Sequence, residues 1–150
     1  MMLTILILSV IGAVLCAVVG TVWYSNATPM GKLHMQYLGF DKLSEQEKKK
    51  KIQEAMPTMP KIYAAQIGLS FLTSFATVFI VTLSIQNNVP AVMAIGFVAF
   101  NWLAFMVPII GQGILWSNCD PKLAWKKFFS DSLSNLVSVL IFAFLASFFA

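Results

Sequence analysis

Arginine is absent from this sequence, and with it the forked guanidinium that reads bases and clamps phosphates. The net charge is +4 and all ten cations are lysines, so nucleic-acid binding is not expected. Charge of either sign is scarce: 11% of residues are charged and 59% hydrophobic, against about 25% and roughly 45–50% in an average soluble domain. Such a chain cannot cover a water-soluble surface. Histidine is reduced to His34, and no HExxH, CxxC, GxSxG or phosphate-loop pattern occurs. The sequence therefore points away from an enzyme: it offers no catalytic residues, no metal site and no cofactor. Cysteine is limited to Cys16 and Cys119, which form neither a disulfide framework nor a metal-ligand spacing.

What is present is hydrocarbon, and it is segregated. No Asp, Glu, Lys or His occurs from Met1 to Ser25, nor from Ile62 to Leu115, and the mean hydropathy is +0.81. About 20 apolar residues cross roughly 30 Å of bilayer core. Stretches near 3–24, 62–85, 91–116 and 128–149 meet that length, so the chain reads as one transmembrane domain over residues 1–150. No basic side chain precedes the first stretch, which is therefore read as a retained helix and not as a signal peptide. Four spans place the loops 25–61 and 117–127 on one side, and these loops hold every lysine. By the positive-inside rule that side is the cytoplasm of a cell-membrane protein, with both termini outside. The Asn26 to Thr28 sequon then lies in the cytoplasm and is read as chance.

Polar residues within this frame suggest local structure first. Ser44 and Glu47 form a capping box, predicting a short amphipathic helix that ends before Pro57. Its Lys48, Lys49, Lys50 and Lys51 would face water or touch anionic lipid headgroups. Gly12, Cys16 and Gly20 recur every four residues, a stripe on which a neighbouring helix or a second copy can pack closely. Gln66, Ser70, Thr73 and Thr77 form a second stripe, and Asp131, Ser134, Asn135 and Ser138 a third, with Asn101 and Gln112 between them in sequence. Such stripes either bond helices together or line a polar cavity. Asp131 is the one acid inside a span: it is either a helix-start residue near Lys126 and Lys127, or part of a functional site.

The strings "GTVWYSNATPMGKLHMQYLGF", "GFVAFNWLAFMVP" and "AWKKFFSDSLSNLVSVLIFAFLAS" together resemble the family of small membrane proteins known as domain of unknown function 1761. The residues that carry the likeness are Gly20, Trp23, Tyr24, Ser25, Gly31, Lys32, Met35 and Gly39, then Trp102, Phe105 and Pro108, then Asp131, Leu136 and Val137. The family usually has Pro where Asn26 stands and commonly Trp where His34 stands. The resemblance implies a four-helix multi-pass membrane protein and brings no substrate.

Trp23 and Tyr24 serve either as interfacial anchors or as part of a segment that folds back, with Lys32 and Trp102 closing a pocket. The expected fold is all-α, a transmembrane four-helix bundle. Three functions stand open: binding or conduction of a small solute, ion or lipid by a homo-oligomer around Asp131, Lys32, Asn101 and Asn135; a structural membrane module; and, weakest, a membrane enzyme. Membrane lipids and further copies of the chain are the expected partners.

Overall fold

A chain in hydrocarbon must satisfy its backbone polar groups within itself, and a helix does so locally. In the computed structural model, which describes residues 1–149, the four apolar stretches are helices and no strand occurs among the described residues. Helix α1 is Met2–Trp23. Helices α2 (Pro29–Tyr37) and α3 (Glu45–Ala55) follow in the first loop, and α4 is Met59–Gln86. The third span comprises α5 (Ala91–Asn101), a π-helical stretch at Trp102–Met106 and α6 (Val107–Leu115); α7 is Pro121–Phe149. All four spans are long and apolar enough to cross a membrane.

The helices outrun the apolar stretches. Helix α7 starts at Pro121, where the side chain of Asp120 accepts from the Leu123 amide at 3.0 Å, and it continues through Lys122, Lys126 and Lys127. Hydropathy marks where a helix can enter lipid, whereas the cap marks where it begins. Pro108 accounts for the π-helical stretch: it cannot donate to the carbonyl of Ala104 and its ring crowds that carbonyl, so the preceding turn widens. The turn after α4 is made by Asn88, which takes the left-handed conformation at φ 64°.

The first loop holds more structure than the single predicted helix. The capping box forms as the sequence indicates, with Glu47 N to Ser44 Oγ at 3.3 Å and Ser44 N to Glu47 Oε2 at 2.8 Å. No residue of α3 is buried, and Ile52 and Ala55 are its only apolar side chains.

Helices α1, α4 and α7 pack on one another, with the third span against α7 and α4. Ile5, Leu8, Val78, Val81, Val139 and Phe142 form the centre. A Cβ on Gly12 would lie 2.3 Å from Ser74 Oγ and 2.9 Å from a Phe142 ring carbon, so the missing side chain is what allows the three helices to meet. Cys16 Sγ bonds Ser138 Oγ at 3.4 Å on the same face. The third span is the least embedded, with 11% of its apolar window buried against 39% for the fourth.

Candidate functional site

The segment Trp23 to Tyr37 folds back against α7 instead of leading away from the packed helices. Thr28 caps α2: its Oγ1 accepts from the Gly31 amide at 2.9 Å and donates toward the Trp23 carbonyl at 2.7 Å and the Ser25 carbonyl at 2.9 Å. Pro29 opens α2 with its φ already fixed and no amide left unpaired. Gly31 is buried against the chain it has just left, and a Cβ there would lie 1.9 Å from the Ser25 carbonyl oxygen. Ser25, Thr28, Pro29 and Gly31 thus form one corner, which accounts for the string of small and turn-forming residues after the aromatics. Gly39, at φ 74°, ends the fold-back.

The corner presses its aromatics on α7 about three turns past its Pro121 start, so Asp131 is not the helix-start residue that was one of its two expected roles. Trp23 Nε1 donates to Ser130 Oγ at 3.1 Å, and the Tyr24 hydroxyl donates to Asp131 Oδ1 at 2.8 Å. Asp131 also forms an ion pair with Lys127, one turn earlier on the same helix. The Lys127 ammonium lies 5.1 Å from the Tyr24 ring centroid and 5.6 Å from that of Tyr37, within cation–π range of both. The His34 ring sits 5.0 Å from that of Tyr24.

Burial, and then the Lys127 charge, lower His34 and favour the neutral imidazole. The cluster is a lysine held by two aromatic faces and a carboxylate, with its charges already matched.

Other predicted residues go elsewhere. Asn101 donates to its own helix at Phe97 O, 2.8 Å away, and Trp102 packs on the hydrophobic centre with Nε1 unpartnered. Asn135 Oδ1 and His34 Nδ1 are likewise buried without a partner. Gly12 and Cys16 make the close approach described above, while a Cβ on Gly20 would meet nothing within 4 Å. Lys48 bonds Glu45 at 2.7 Å and Lys51 lies 5.8 Å from the Phe40 ring centroid; α3, which also carries Lys49 and Lys50, contributes nothing to the cluster.

Lys32 does not close on Trp102. It lines a groove of about 580 Å³ between α2 and α7, where it joins Lys126, with Met30, Leu33, Phe129 and Leu133 as apolar walls. Sequence reasoning noted Lys126 and Lys127 only as neighbours of Asp131. Their helical phase carried the missing signal: Lys127 and Asp131 share a face at i,i+4, while Lys126 and Ser130 share the adjacent one.

A family model described as "Protein of unknown function (DUF1761)" matches residues 7–147. No curated protein and no solved structure matches the chain.

Proposed function

The chain belongs to the DUF1761 family, and we propose that within it this protein is a multi-pass membrane protein that binds a small amphiphilic ligand at the lysine-bearing end of its helices. The observation that carries this reading is the groove between α2 and α7, which Lys32 and Lys126 line together with an apolar wall. The positive-inside rule places that end in the cytoplasm and both termini outside.

The interior favours binding over conduction. Ser74, Thr77, Ser134 and Ser138 are buried among the helices, and Ser138 Oγ donates back to the Ser134 carbonyl at 3.1 Å. A pathway would thus need walls from more than one copy. No catalytic step is part of this reading.

A second reading, a structural module, draws support from the self-matched Lys127, Asp131 and Tyr24 cluster, which behaves as a clamp. Native mass spectrometry of the protein in nanodiscs, with co-purified molecules retained, separates the two. A specific adduct that Leu33→Ala and Phe129→Ala weaken supports binding. A protein carrying only bulk lipid, unchanged by either substitution, rejects it in favour of the structural module.

A further inference from the structure

We infer that the ligand of the α2 and α7 groove is an anionic glycerophospholipid, its phosphate held between Lys32 and Lys126 and its first acyl carbons laid along Leu33, Phe129 and Leu133. This rests on the ligand-binding reading above and names the class of ligand. The charge is uncompensated: no acid lines the groove, and neither lysine forms an ion pair among the described residues. The nearest acid in sequence, Asp131, is engaged by Lys127 and Tyr24. Lys127 is buried, whereas Lys32 and Lys126 are exposed, so the two groove lysines remain available to a ligand.

The two cations come from separate elements. Lys32 is fixed by the Thr28 and Gly31 corner and Lys126 by α7, so their placement follows from the fold-back itself. A free phosphate would need the ammonium groups alone. The apolar walls suit an acyl chain as well: Phe129 is 63% exposed and Leu133 46% exposed where the apolar part of α7 begins. The groove therefore matches the headgroup level, where a lipid changes from charged to apolar over a few ångströms. Lysines on an anionic leaflet contribute about fivefold each in affinity, so the pair contributes about 25-fold.

The test is native mass spectrometry of the full chain with phosphatidylglycerol and phosphatidylcholine supplied in equal amounts. Wild type is expected to retain phosphatidylglycerol preferentially, and Lys32→Gln with Lys126→Gln to lower that retention about 25-fold. Lys32→Arg with Lys126→Arg keeps the charge and should keep the preference, which controls for misfolding. Lys122→Gln removes a lysine at the same end outside the groove and should lower the retention less than the groove pair does.

Equal retention of both lipids, unaffected by the glutamine pair but weakened by Phe129→Ala, overturns the anionic class and leaves ligand binding standing. Displacement of the bound lipid by glycerol phosphate overturns the acyl contact. Absence of any adduct that responds to the groove substitutions overturns the ligand-binding reading itself.

Discussion

Tyr24 and Asp131 lie 107 positions apart in the chain and meet through one hydrogen bond of 2.8 Å where α1 stops and the apolar part of α7 begins. The contact ties the first loop to the last helix. Asp131 also neutralises Lys127, whose side chain is 5% exposed, so a charge that would be costly alone is matched on two sides.

Asp131→Leu should therefore destabilise the protein by about 3–5 kcal/mol, the range for breaking a buried pair while leaving one charge behind. Lys127→Met combined with Asp131→Leu should recover most of the loss. Heating in detergent followed by size-exclusion chromatography reads the midpoint of each variant. A double variant as unstable as the single acid variant would show that the Lys127 charge is not the source of the penalty.

The corner makes a sharper contrast between two glycines. Gly31→Ala places a methyl 1.9 Å from the Ser25 carbonyl oxygen, a backbone atom that cannot rotate away, so a loss at or above the ~1–3 kcal/mol typical of overpacking is expected. Gly20→Ala meets nothing within 4 Å and should be neutral or stabilising by up to ~1 kcal/mol through helix propensity. Thermal midpoints of the two variants in the same detergent decide the matter, and equal midpoints would refute the corner as described.

Gly12→Ala should separate α1 from α4 and α7, because its methyl would meet Ser74 Oγ at 2.3 Å and a Phe142 carbon at 2.9 Å. Adding Ser74→Ala removes the nearer obstacle, so the double variant should regain part of the lost thermal midpoint. No recovery would mean that the Phe142 contact alone sets the spacing.

His34 makes the fold-back sensitive to acid. Its value is lowered from 6.5 by burial first and by Lys127 second, with Asp131 opposing. Between the two values the unfolded segment binds more proton than the folded one, so stability is complete above about 6.5 and falls as pH drops through the folded value. Hydrogen exchange of the peptide 29–37 should speed up, relative to its intrinsic rate, between pH 7 and pH 5, and His34→Gln should flatten that response. Protection that rises on acidification would reverse the assignment.

Much of the helix content was legible because it depends on composition over long windows. The apolar stretches mark the spans, and Ser44 with Glu47 marks α3, since a capping box acts within four residues. The fold-back was legible only as a string whose residues suggested turns. Helix α2 has nine residues of mixed polarity, too few to be stable without a partner, and that partner is α7. Tyr24 with Asp131 and Lys32 with Lys126 are pairings between distant segments, which neither periodicity nor spacing encodes. Asp131 drew notice as an acid in an apolar stretch. Lys126 and Lys127 were both legible as its neighbours, and the i,i+4 phase of α7, continued upstream of the apolar residues, singles out Lys127 as the partner.

The unequal lengths of neighbouring helices bear on the surrounding bilayer. Helix α1 has 22 residues and α7 has 29, which at 1.5 Å per residue gives roughly 33 Å and 44 Å for two rods in contact. Hydrocarbon about 30 Å thick fits the first closely and the second only with tilt or with turns left outside. The apolar part of α7 begins only near Phe128, so both helices offer the bilayer apolar walls of about the same height, and the extra turns of α7, with Lys122, Lys126 and Lys127, stand outside the hydrocarbon. What the greater length of α7 adds is reach: a stiff rod that carries its lysines past the hydrocarbon edge without thickening or thinning the bilayer around it.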